Sequence, residues 1–253
     1  MLLPLFLVSS LLPSGALAGE IIGGQEAKPH SRPYMAFVEI KGSQCGGFLV
    51  RKDFVLTAAH CDPKGQSGPQ RKGNNTRVIL GAHDLSMMEK NRQEIAVRDI
   101  IPHENYNRRT KENDIMLLQL ARKAKITKTV DLIRLPQANN VLKPGTTCSV
   151  AGWGRTGVHI IRPSNKLQEV DLKMGDEEQC RYLYGSFNST LMICMGDSRD
   201  KKSSFKGDSG GPLVCKGIAQ GIVSFGKHSG IPPAVYTRVS AYIDWIEENM
   251  GQK

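Results

Sequence analysis

Three short segments carry residue types that together could break an acyl bond. Gly207-Asp208-Ser209-Gly210-Gly211-Pro212 sets a serine among glycines. Such a run can hold a hydroxyl on a tight turn and let backbone N–H groups approach a bound carbonyl. Thr57-Ala58-Ala59-His60-Cys61 ends an apolar run in a histidine, the side chain best suited to proton transfer near neutral pH. Asn113-Asp114-Ile115-Met116-Leu117-Leu118 places an aspartate at the mouth of an apolar strand, where burial demands a partner such as an imidazole. Taken singly, each segment reads equally as an ordinary turn, a structural histidine beside a disulfide, or an Asx turn at a strand start.

The elements around these segments read as all-β. Short apolar runs at 34–40, 47–57, 77–80, 93–101 and 115–120 alternate with breaks rich in turn residues. The pattern repeats at 147–151, 166–172, 211–215, 218–224 and 234–238. Many short strands punctuated by glycine and proline predict a sandwich or barrels. At the end, Ile243, Ile246 and Met250 recur at helical spacing, predicting an amphipathic helix over 241–250 capped by Ser240. Residues 123–144 are the expected linker between halves, and 62–75 reads as a polar surface loop.

The chain has 253 residues and a formal charge of +10. Residues 1–18 read as a secretory signal, apolar over Leu2–Leu12 and followed by the small residues Ser14, Gly15, Ala16 and Ala18. No other stretch is long and apolar enough to suggest a transmembrane anchor. Six cysteines behind a signal predict disulfides, with the pairing left open by sequence, and no close Cys or His set has zinc-ligand spacing. Sequons at Asn74 and Asn188 mark candidate glycosylation sites. The basic surface suits sulfated glycans or acidic substrates; no motif for specific nucleic-acid binding accompanies it.

In the order His60, Asp114, Ser209, the three segments resemble the chymotrypsin-like serine proteases. Ile21-Ile22-Gly23-Gly24, Gly46-Gly47, Ala151-Gly152-Trp153-Gly154 and Ser224-Phe225-Gly226 extend the resemblance over essentially the whole mature chain. Gly19-Glu20, Phe205-Lys206-Gly207-Asp208 and the six-cysteine set are similar to the granzyme and mast-cell chymase group. The resemblance implies two Greek-key six-stranded β-barrels, over about 21–130 and 131–253, with the active site between them and a C-terminal α-helix. It implies a Ser209 nucleophile, a His60 base, an Asp114 orienter, and an oxyanion hole from the Gly207 and Ser209 amides. A dipeptidyl peptidase would remove Gly19-Glu20, and the freed Ile21 ammonium would pair with Asp208. Disulfides would join Cys45–Cys61, Cys148–Cys215 and Cys180–Cys194.

Substrate contacts carried over in the same way are Ser203, Phe205, Lys206, Ser224, Phe225, Gly226 and Ala234. Ser203 stands where trypsin-like relatives carry aspartate, Ala234 where aspartate-cutting granzymes carry arginine, and Phe205 where many relatives carry cysteine. These imply cleavage after Phe, Tyr, Leu or Met, with Lys206 either favouring nearby acidic residues or standing as a solvated rim lysine. Partners implied are protein and peptide substrates, serpin-type inhibitors and sulfated glycosaminoglycans; the protein is expected to be a monomer, to need no metal or other cofactor, and to reside in secretory granules of immune cells. Two alternatives stand beside this granzyme-like role: a mast-cell chymase-like extracellular protease, and an inactive glycan-binding homologue.

Overall fold

A computed structural model describes residues 21–63 and 70–251. The expected signal, the Gly19-Glu20 dipeptide and the middle of the 62–75 loop lie outside the described residues. The strands are β1 (Gln25–Glu26), β2 (Met35–Ile40), β3 (Ser43–Arg51), β4 (Phe54–Thr57), β5 (Arg71–Lys72), β6 (Thr76–Leu80), β7 (Gln93–Pro102), β8 (Met116–Leu120), β9 (Thr147–Gly152) and β10 (Gln168–Lys173). Helix α1 (Glu177–Leu183) is followed by β11 (Met192–Met195), β12 (Pro212–Cys215), β13 (Ile218–Phe225), β14 (Ala234–Arg238) and helix α2 (Ile243–Met250).

The strands form two antiparallel barrels. In the first, the order β7-β6-β2-β3-β4-β8 closes when β8 returns to β7, pairing Ile101 with Leu117 and Pro102 with Met116; β5 adds to the outside of β7. In the second, the order is β10-β9-β12-β13-β14-β11. Its ends meet at the bridge Met174–Met195, flanked by Gly175 N donating to Cys194 O (2.9 Å) and Gly196 N to Lys173 O (2.8 Å). Strand β1, which precedes the whole first barrel in sequence, pairs with β10 of the second. Closure leaves the barrels no long edge open to another chain.

Apolar residues of strands buried almost throughout fill each interior. Val38, Phe48, Leu56, Val78, Ile100 and Leu118 are fully buried in the first barrel, and Ile21, Val150, Leu213 and Tyr236 share the second core. Helix α2 comes from the second half of the chain but sinks Ile246 and Met250 into the first-barrel cluster. Its end is fastened there by Arg51, which donates to Met250 O and stacks 4.4 Å over the Phe54 ring.

Several local expectations are corrected. The run over 47–57 is two strands, because Lys52 and Asp53 turn the chain and Asp53 pairs with Arg51 (2.6 Å). The last helix starts at Ile243 after a 3-10 turn at Val239–Ala241, and Ser240 does not cap it: its hydroxyl donates to Asn140 O (2.8 Å). Helix α1 was not foreseen. Asp176 caps it by accepting from Glu178 N (2.9 Å), with Glu177 and Glu178 in its first turn, a start signal visible in the sequence but followed by only seven helical residues.

Because Phe48 is wholly buried at the centre of β3, Phe48→Ala is expected to lower unfolding free energy by about 3–5 kcal/mol. Denaturant titration of the two proteins checks this.

Candidate active site

His60 sits in a 3-10 turn, Ala59–Cys61, immediately beyond β4. The turn is tied back to β3 by the Cys45–Cys61 disulfide (S–S 2.03 Å) and by Thr57 Oγ1 donating to Gly46 O (2.8 Å). Asp114 lies just before β8 and is completely buried. Its Oδ2 is 2.7 Å from His60 Nδ1, and its Oδ1 accepts from His60 N at 2.9 Å. An ionised carboxylate only accepts, so Nδ1 carries the proton and Nε2 is left with a lone pair.

The second barrel completes this arrangement. Ser224 of β13 donates its hydroxyl to Asp114 Oδ2, and Thr237 of β14 donates to Asp114 O (2.8 Å). Burial works to raise the Asp114 pKa, but the His60 charge and the hydrogen bonds from His60 and Ser224 outweigh it and hold the carboxyl below its ordinary value. The sequence reading has Ser224 as a substrate contact and does not find its hydroxyl's bond to Asp114.

Ser209 is brought to the same seam. Its carbonyl accepts from Gly46 N at 2.7 Å and lies 3.8 Å from Cys61 Sγ. Amides along this turn alternate in use: Asp208 N donates to Phe205 O (3.0 Å) and Gly210 N to Val223 O (2.9 Å). The Gly207 and Ser209 amides have no acceptor among the described residues. Gly207 has φ +101°, and a Cβ there would lie 2.8 Å from Gly154 Cα, so only glycine turns this amide outward without strain. Ser209 Oγ makes no hydrogen bond to His60 among the described residues, a contact that commonly tightens only when substrate binds.

Asp208 points inward. Its two carboxylate oxygens accept from Gly154 N (2.9 Å) and Phe205 N (2.8 Å), and a Cβ on Gly154 would come within 2.5 Å of Oδ1. Complete burial pushes its pKa up to about 7 despite the two amides. Ile21 is fully buried in the second core, and Ser203 N donates to Ile22 O (3.0 Å), so the start of the described chain is packed against this region. While Glu20 remains attached, the Ile21 nitrogen is an uncharged amide.

A cavity of about 170 Å³ opens beside Ser209. It is lined by Ser203, Phe205, Lys206, Ser224, Phe225, Gly226 and Ala234, together with Lys227 and His228, which sequence reading passed over. The Ser203 hydroxyl is turned onto Ser204 O (2.9 Å), and Ser204 Oγ lies 2.8 Å from the buried Tyr236 hydroxyl. Phe205 packs toward the 228–231 turn, where a Cβ on Gly230 would lie 3.4 Å from its ring. Cys148–Cys215 (2.06 Å) links β9 to β12, and Cys180–Cys194 (2.02 Å) links α1 to β11.

A histidine locked to a buried carboxylate, a serine on a glycine turn and two outward amides converge at a seam between two β-barrels. Comparison with known proteins agrees with this geometry. The family model described as "Trypsin" matches residues 21–246. Human cathepsin G (Homo sapiens) is 51% identical over 97% of this chain and 93% of its own length. Mast cell protease 3 of Ovis aries is 54% identical over 100% and 97%, and granzyme B of Homo sapiens is 50% identical over 97% of each. A solved structure described as "Structure of GrC" superposes with a TM-score of 0.83 at 46% identity, covering 91% of this chain and 100% of that one. The chain belongs to the trypsin family and is a chymotrypsin-like serine endopeptidase acting on protein substrates.

The raised Asp208 pKa has a consequence for the chain that still carries Gly19-Glu20. Its folded value, about 7, exceeds the ordinary 3.8, so the native state holds the proton more tightly. The stability this contributes is full below about pH 4 and is lost as pH rises toward 7. Thermal melts of the untrimmed chain should therefore fall across that window, and Asp208→Asn should flatten the fall.

Proposed function

We propose that this endopeptidase cleaves after large apolar residues, Phe, Tyr, Leu or Met, and is stored in immune-cell granules for a cytotoxic, granzyme-like role. The observation that carries the specificity is the uncharged cavity floor. Ser203 spends its hydroxyl on the Ser204 carbonyl, Ala234 adds a methyl group, and no carboxylate or guanidinium lines the cavity. A basic substrate side chain entering it would lose hydration without gaining a counter-charge.

In this reading Ser209 Oγ attacks the scissile carbonyl as His60 Nε2 takes its proton. Asp114 keeps the proton on Nδ1 and stabilises the imidazolium. The Gly207 and Ser209 amides receive the oxyanion, His60 then protonates the leaving amine, and water releases the acyl group. Those two unengaged amides support an active enzyme over a glycan-binding homologue that has lost catalysis. The backbone of Ser224–Gly226 would pair with extended substrate.

Activation follows from Asp208. Removal of Gly19-Glu20 by a dipeptidyl peptidase would convert the Ile21 amide into an ammonium, giving this buried carboxylate a cation and ordering the oxyanion turn. Serpin-type inhibitors and sulfated glycosaminoglycans are the further partners proposed, the latter on the net charge of +10. Asn74 is exposed beside β6, and Asn188 accepts from Thr190 N and Oγ1 through Oδ1, leaving its Nδ2 open to a glycan. A mast-cell role is the second reading, favoured by the 54% identity to mast cell protease 3.

The test is a peptide library offered to enzyme whose chain begins at Ile21, with Ser209→Ala as control. Cleavage after large apolar residues, abolished in the control, supports the proposal; cleavage after basic or acidic residues overturns it. Ser203→Asp should lower kcat/KM on a Phe substrate by roughly 10–100-fold and introduce cleavage after Lys or Arg.

A further inference from the structure

Away from the catalytic seam, the turn Asn188-Ser189-Thr190 between α1 and β11 borders a second cavity, of about 360 Å³. Ser189 and Thr190 line it, and so do Asn139, Asn140 and Val141 of the segment joining the barrels, Glu177 of α1, Arg238 at the end of β14, and Ala241. The turn is firmly held. Arg238 Nε donates to Ser189 O (3.1 Å), Arg181 Nη2 donates to Ser189 Oγ (3.1 Å), and Thr190 N and Oγ1 both donate to Asn188 Oδ1. Asn188 Nδ2 has no partner among the described residues.

Arg238 is only 6% exposed, and its guanidinium is incompletely satisfied. Nη2 donates to Met192 O (3.0 Å), but Nη1 is buried with no hydrogen-bond partner among the described residues. Glu177 stands 3.8 Å from Nη2 and is shared with Arg181 at 3.7 Å. Burial lowers the Arg238 pKa, and Glu177 offsets only part of that shift. A buried donor without an acceptor is costly, and a ligand oxygen reaching Nη1 would offset that cost.

The chemistry of the wall selects the ligand. Glu177, beside the guanidinium, would repel an anion, which argues against phosphate, sulfate or carboxylate. A neutral polyol can use both groups: its oxygens accept from Arg238 and its hydroxyls donate to Glu177. The side-chain amides of Asn139 and Asn140 offer donors and acceptors alike. Val141, 72% exposed, and Ala241 give an apolar surface for the C–H face of a sugar ring.

We propose that this cavity seats the first sugars of an N-linked glycan carried by Asn188. The proposal rests on the glycosylation reading of Asn188 given above and adds where the attached sugar goes. Tethering beside the cavity makes the contact intramolecular, so individually weak hydrogen bonds suffice to hold it. The seated glycan ties α1, the end of β14 and the 139–141 segment together.

The experiment uses the chain secreted from mammalian cells with Asn74→Gln, so that Asn188 is the one sequon left. Intact mass reads its occupancy. An amidase that cuts the bond between Asn188 Nδ2 and the first sugar then reads access, because it acts only on the unseated fraction. Release from the folded protein should be roughly tenfold slower than from the same protein carrying Ala241→Phe, which fills the cavity, and the two rates should be equal once both are unfolded. The sign is diagnostic, since a merely crowded site would be slowed by the added bulk. If Ala241→Phe does not fold, Val141→Ser carries the test with a several-fold acceleration. An unglycosylated Asn188 overturns both the modification and the seat. A glycosylated Asn188 released equally fast from the unaltered and variant folded proteins overturns the seat alone.

Discussion

A fully buried carboxylate is the costliest group a β-barrel can carry, and the seam of this molecule is organised around keeping Asp114 charged. Three donors do so, and they come from both barrels: the His60 ring and amide from the first and the Ser224 hydroxyl from the second, while Thr237 of the second holds the Asp114 backbone carbonyl. Orientation of the imidazole and mutual orientation of the barrels are therefore one constraint. Sliding one barrel against the other would withdraw the Ser224 and Thr237 hydroxyls from a residue that has no water to replace them. The Gly46–Ser209 hydrogen bond adds a backbone contact across the same seam.

Asp208 presents the same problem with a different solution. Its two acceptor oxygens are met by backbone amides, yet burial still drives it toward the neutral form. Asp114 has an imidazole as its partner, whereas Asp208 has only dipoles so long as the Ile21 nitrogen remains an amide. The two aspartates lie near one serine, and their environments separate their ionisation in opposite directions, Asp114 downward and Asp208 upward. One position is built to be charged in the fold as it stands, and the other needs a cation to become so.

The fold class was legible in the sequence because barrel strands leave short apolar runs between glycine and proline breaks, and because His60, Asp114 and Ser209 stand in segments that resemble a known family. What was not legible follows physical limits. Helix α1 is too short for periodicity to show. Residues 47–57 look continuous because the turn at Lys52 and Asp53 contains neither glycine nor proline. Ser240 had the right side chain for a cap, but Asn140 O competes for its hydroxyl. Ser224 on Asp114 is a contact between residues 110 positions apart, in a folded geometry that no local pattern encodes.

The path of α2 has a consequence for when this machinery can exist. Ile246 and Met250 complete the core of a barrel whose strands were all made in the first half of the chain, and Arg51 waits for the Met250 carbonyl. Until α2 has been made, the first barrel lacks part of its interior. The His60 and Ser209 halves of the site thus mature together, once α2 has been made. An incomplete chain stalled during translation would hold the pieces of a protease without the closed seam that makes them one.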